Sequence, residues 1–162
     1  MKKLSFILAC VIVVLYTSAC SSQKDATAPI NSTSKSDLTG TWLVSDIKLE
    51  GFPADYQIGN AFNIAPYESF IGSTWRLYSS YKGQISLSNG TSENIYWDLV
   101  NNGGKPMFQF KTVPAGSNAR DIREGYRLDI HRTDANHLIL RSPFSIENDN
   151  IAANIAYYLE RQ

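Results

Sequence analysis

The sequence predicts an all-β antiparallel fold, a barrel or a sandwich, and three observations carry that prediction. Runs of alternating apolar and polar residues recur from Leu38 to Leu159. Most are separated by hairpin-length stretches rich in Gly, Asn and Ser, the spacing expected of a β meander. The chain shows no internal repeat, no heptads and no long amphipathic stretch.

The first run, GTWLVSDIKLE at 40–50, sets Ile47 and Leu49 against Lys48 and Glu50. A long connection follows at 51–73, with a helical turn predicted near Pro66–Ile71 because proline suits a first helical position. TWRLYSS (74–80) and GQISLS (83–88) form the next two strands, joined at Tyr81-Lys82-Gly83. SNGT (88–91) carries the Asn-Gly pair of a tight hairpin. Beyond it, NIYWDLV (94–100) places Ile95, Trp97 and Leu99 on one face and Tyr96, Asp98 and Val100 on the other. NNGG (101–104) turns the chain into PMFQFKT (106–112), and a second long loop spans 113–124. GYRLDIHR (125–132), HLILRSPF (137–144) and IAANIAYYLE (151–160) complete a set of eight. The alanines of the last run would suit a helix. Strand is preferred because Ile151, Ala153, Ile155, Tyr157 and Leu159 keep one parity.

Residues 1–19 read as a secretory signal: Lys2 and Lys3, an apolar stretch from Leu4 to Tyr16, then small residues. The stretch is too short to cross a hydrocarbon core of about 30 Å, which needs about 20 apolar residues. Cys20 follows the small residues directly, and Cys10 lies within the signal. After cleavage one cysteine remains, so no intrachain disulfide framework is expected. The arrangement resembles the lipobox of bacterial lipoproteins. That resemblance makes Cys20 the first mature residue and the site of lipid attachment, with several acyl chains as a membrane anchor. Residues 20–37 then form the acylated cysteine and a flexible Ser/Thr/Ala-rich tether. The part from 21 to 37 has an r.m.s. span of about 23 Å. The expected address is the cell envelope, on the outer membrane, with either face open.

A family resemblance enters at Gly40-Thr41-Trp42, which is similar to the Gly-x-Trp motif opening lipocalins. By that resemblance Trp42 closes the barrel bottom and Arg161, after AYYLE, packs across it. FIGSTW, IYWDL, FQFK, GYRLDI, LILRSP and YYLER follow in an order that looks like that of lipocalin-like bacterial lipoproteins. The resemblance covers 38–162 and implies an eight-stranded antiparallel up-and-down barrel that takes a small hydrophobic ligand.

Lys and Arg total 15 and so do Asp and Glu; losing Lys2 and Lys3 tips the balance slightly acidic. A nucleic-acid partner is not expected of such a chain. No Gly-x-Ser-x-Gly elbow, His-Glu-x-x-His or phosphate-cradling loop occurs. His131 and His137 sit beside turn chemistry and read as surface histidines, so neither a metal nor a cofactor is expected. Asp46, Asp98 and Asp129, with Arg76, Arg127 and Arg141, read as a charged outer face with cross-strand pairs.

The aromatics are the functional lead. Trp75, Trp97, Phe110 and Tyr126 are the expected cavity-lining set. Eight strands enclose room for filling side chains or for one small ligand. The number of large inward residues favours a small or occluded cavity. Two functions follow from the reading: a non-catalytic membrane-anchored carrier of a small hydrophobic molecule, or an envelope protein with a filled core that presents 51–73 and 113–124 to a protein partner.

Overall fold

The computed structural model describes residues 33–146 and 151–162. Cys20, the signal and the tether up to residue 32 lie outside the described residues. Where the sequence reading continues the tether to residue 37, the structure has a helical turn, α1 (Lys35–Leu38). Ser34 caps it, its backbone N–H and hydroxyl both reaching Asp37 Oδ2 at 2.7 Å.

Ten strands follow among the described residues: β1 (Gly40–Glu50), the two-residue pair β2 (Asn60–Ala61) and β3 (Ala65–Pro66), β4 (Thr74–Leu77), β5 (Lys82–Ser86), β6 (Ser92–Asn102), β7 (Lys105–Thr112), β8 (Tyr126–Thr133), β9 (His137–Ile146) and β10 (Ile151–Arg161). A 3₁₀ turn, Tyr67–Phe70, lies between β3 and β4. Omitting β2 and β3, the strands close into one antiparallel barrel in the order β1-β10-β9-β8-β7-β6-β5-β4. Each strand from β4 to β10 neighbours the next in sequence, and β1 joins β10 to β4. This is the up-and-down, lipocalin-like layout.

Alternation sorts the side chains. Trp42, Val44, Trp75, Ile85, Trp97, Phe108, Phe110, Leu128, Leu138, Leu140, Ile155 and Tyr157 are fully buried inside. In β1 the inward parity changes midway, from Trp42 and Val44 to Ile47. A bulge at Ser45 absorbs the extra residue, so that Ile47 still faces Tyr157 and Leu49 still faces Ile155.

One end of the barrel is closed. There the Arg161 guanidinium lies 4.3 Å from the centre of the Trp42 ring. It donates to three backbone carbonyls, Asp37 at 2.6 Å, Ala135 at 2.7 Å and Thr39 at 2.8 Å. The Trp42 indole N–H is satisfied by Leu38 C=O at 2.8 Å. Gly40 has a φ of 142°, and a side-chain carbon there would collide with the guanidinium. The Gly of Gly-Thr-Trp is therefore the space in which the arginine sits.

The outer face is charged, with Asp129 of β8 standing opposite Arg141 of β9. Asp46 and Asp98 turn back to the backbone N–H groups of Ile47 and Leu99, each at 2.8 Å. Arg127 reaches Gln109 at 2.8 Å. Arg141 on β9 crosses β10 to grip Glu50 on β1 with two bonds, at 2.6 and 2.9 Å. The residue it crosses is Ala156, its register partner, which is small enough to let the guanidinium pass.

Two outcomes follow. Arg161→Ala removes the stacked cation and its three bonds and should cost about 2 kcal/mol; Gly40→Ala, which forces the same group aside, should cost about as much. Equilibrium denaturation checks both, and an unaltered midpoint in both would remove the clamp from the account. Separately, the hydrogen bonds from Arg141 hold the Glu50 carboxyl below its ordinary value of 4.5. Stability drawn from that pair is complete above pH 4.5 and lost as the pH falls through the lowered value. Glu50→Gln should therefore flatten the acid limb of stability against pH, measured by urea titration at a series of pH values.

Candidate functional site

Both long connections leave the barrel at the end opposite Trp42. The strand directions place 51–73, the β5–β6 turn and 113–125 together there, around the mouth.

The first connection enters the mouth. It begins against the rim, where Phe52 packs edge-on against Phe144 of β9 at 5.6 Å. It then forms the β2–β3 hairpin, whose tip is closed by Ile64 N–H to Ala61 C=O at 3.0 Å. The two tip residues, Phe62 and Asn63, have φ of 56° and 53°. Hairpin tips usually give such left-handed positions to Asn and Gly. Phenylalanine pays a steric penalty there, and the surroundings must hold it in place.

Those surroundings are rings. Phe62 lies 5.0 Å from Phe110, 5.2 Å from Tyr126, 5.4 Å from Tyr157, 5.5 Å from Phe70 and 6.1 Å from Trp75 between centroids. Four of the five contacts are edge-to-face, the favoured arrangement of aromatic quadrupoles. The 3₁₀ turn Tyr67–Phe70 returns the chain and delivers Phe70 to the same cluster. A side chain from a loop thus fills the upper interior, and Phe62 is 5% exposed.

Two of these rings carry buried polar groups. The Trp75 indole N–H is satisfied by Ser73 Oγ at 3.1 Å, and Ser73 is itself fully buried. The Tyr157 hydroxyl is buried and has no hydrogen-bond partner among the described residues. Burial pushes that phenol well above its usual pKa, so it stays protonated and has a hydrogen to donate. Tyr126, half-buried at the rim, is raised as well, first by burial and then by the charge of Glu124, with the nearby Asn63 side chain acting in the opposite direction.

Of the four residues expected to line a cavity, Trp75, Phe110 and Tyr126 meet around Phe62. Trp97 does not. It lies toward the closed end, stacked on Phe108 at 5.8 Å, with its indole N–H shared between Tyr78 C=O at 3.1 Å and Lys82 C=O at 3.0 Å. Its alternation is inward as expected, but height along the barrel is set by strand register, which alternation does not encode. Trp42 and Arg161 sit together at the closed end. Cys20 is outside the described residues. Phe62, Phe70 and Tyr157 complete the site without having been singled out from the sequence. The available signal was the number of apolar residues in this connection, AFNIA and the nearby Phe70 among them.

No protein-family model matches the chain, and no curated protein matches it. Among solved structures, apocrustacyanin C2 aligns with a TM-score of 0.41 at 14% identity, covering 78% of this chain and 61% of its own. Apocrustacyanin C1 aligns at 0.39 and 14%, with the same coverage. The chain therefore spans about three-fifths of the length of these solved proteins, at 61%.

An unpaired buried hydroxyl is a liability to the folded state. Tyr157→Phe removes it while keeping the ring and should leave stability unchanged or raise it by about 1 kcal/mol. A loss of that size on thermal or urea denaturation would mean that the hydroxyl is already satisfied.

Proposed function

We propose that the protein is a non-catalytic carrier in the bacterial cell envelope, anchored through lipid on Cys20, whose barrel takes a small, flat, apolar molecule in the place now filled by Phe62. The observation that supports the reading is the insertion of a left-handed phenylalanine from a loop into a cage of five rings. Such a residue costs conformational energy at a hairpin tip, and a hairpin has few attachments to resist withdrawal. The cage it leaves would be apolar on its walls, with the Tyr157 hydroxyl free to donate to one oxygen of a ligand, the composition typical of small-molecule sites. The lipocalin-like layout agrees with this use of the interior. The finer assignment, to lipocalin-like bacterial lipoproteins on the outer membrane, rests on the motifs from Gly40-Thr41-Trp42 to YYLER together with the lipobox-like N-terminal segment.

A second reading has its own support, since a filled interior also suits an envelope protein that presents its mouth loops to a protein partner. One titration separates the two. The full chain in phospholipid nanodiscs is mixed with N-phenyl-1-naphthylamine, and energy transfer from the tryptophans reports binding inside the barrel. Phe62→Ala, which vacates the cage, should bind at least about tenfold more tightly than the native chain, because the competing occupant is gone. Absence of transfer in both chains would dispose of the carrier and favour the partner. The anchor is read in the same preparation: Cys20→Ser should move the protein from the detergent-rich to the aqueous phase on detergent phase separation, and unchanged partition would refute acylation.

A further inference from the structure

The second long connection makes a site of a different kind, independent of the barrel interior. After β7 the chain folds down the outside of the barrel wall instead of crossing the mouth. Val113 N–H bonds to Asn94 C=O at 2.7 Å. The Lys111 ammonium, pointing outward from β7, holds the loop by Ile122 C=O at 2.7 Å and Ala119 C=O at 3.1 Å. Within the loop, Ser117 and Asp121 N–H groups close turns on Pro114 and Asn118 carbonyls, both at 3.0 Å. The overhang is therefore a fixed roof. Between it and the outer face of β5 and β6 lies a groove of about 840 Å³.

The register explains its floor. Lys82, Tyr96 and Lys111 form one row across β5, β6 and β7. Gln84 and Asn94 form the next. The roof adds Asn118 and Arg120, and Tyr78, 51% exposed, stands at one end.

The charge is one-sided. Every charged residue lining the groove is a cation (Lys82, Lys111 and Arg120), and no carboxylate lines it. The neighbours in sequence that could have neutralised it, Glu93, Asp98 and Asp121, lie outside the lining. Lys111 is occupied with the roof. Lys82 and Arg120 form no salt bridge among the described residues, in a chain with as many acidic as basic residues. Amides from Gln84, Asn94 and Asn118 provide donors and acceptors in a form that suits vicinal hydroxyls, and tyrosine faces suit the apolar face of a sugar ring. A duplex or long polynucleotide needs a basic field far broader than two free cations.

We infer that this outer groove binds an anionic saccharide, its hydroxyls on the amides of β5, β6 and the roof and its acidic group between Lys82 and Arg120. The saccharide could reach the groove free or as the head of a glycolipid, and the test has an arm for each.

Calorimetric titration of the full chain uses tetragalacturonate, with maltotetraose as the uncharged control. A parallel sedimentation assay uses phosphatidylcholine vesicles with and without a sulfated galactolipid. Tetragalacturonate should bind at least about tenfold more tightly than maltotetraose, and added salt should weaken it. Sedimentation only with the sulfated lipid would support the glycolipid form of the same site. The double variant Lys82→Ala/Arg120→Ala should lose about tenfold or more in whichever arm binds, with Tyr78→Ala weakening it through the ring contact. Both sets of side chains are exposed, and circular dichroism verifies that the variants remain folded. Equal affinity for maltotetraose, an unchanged double variant, or failure in both arms would each overturn the proposal.

Discussion

The barrel closes only because β1 serves two neighbours at once. It pairs with β10 from Trp42 to Glu50 and with β4 over Gly40 to Leu43, so the first strand is also the seam. Hydrogen bonds alone would leave that seam free to slip, since a shift by one residue exchanges the inner and outer sets of side chains. Two devices fix it. The bulge at Ser45 keeps Ile47 against the core after the parity change and leaves Leu49, opposite Ile155, exposed near the rim, and Arg161 ties the end of β10 to α1, to the β8–β9 turn and to the Trp42 ring. The first and last elements of the folded chain are thereby held at one point.

Everything inside follows from that closure. Once alternate residues of eight strands face inward, the closed end fills with Trp42, Trp97 and Phe108, and the open end is left with a ring-lined space that the strands do not fill. The β2–β3 hairpin fills it with Phe62. Burial of that ring removes apolar surface from water, which offsets the unfavourable backbone at the hairpin tip. The Tyr157 ring packs in the same cluster, and its hydroxyl has no partner among the described residues. A ligand of the kind proposed would have to displace the side chain that fills this space.

Much of this was legible in the sequence because alternation has a period of two and the turns carry Asn-Gly or paired glycines. All eight barrel strands lie where that pattern places them, and β10 is a strand despite its alanines. The outward or inward sense of Trp75, Phe110 and Arg76 could be read in the same way. Three things could not be read. The height of Trp97 along the barrel depends on stagger between strands. The partner of Arg141 is two strands away in space and ninety-one residues away in sequence. The role of Phe62 depends on a loop whose path is decided by what the finished barrel leaves open. Local pattern specifies faces; it does not specify stagger or long-range occupancy.

The position of α1 has a geometric consequence. Lys35–Leu38 packs at the pole marked by Trp42 and Arg161, so the chain enters the folded body at its sealed end. The hairpin plug lies at the opposite pole, so the mouth and residue 33 are separated by the length of the barrel.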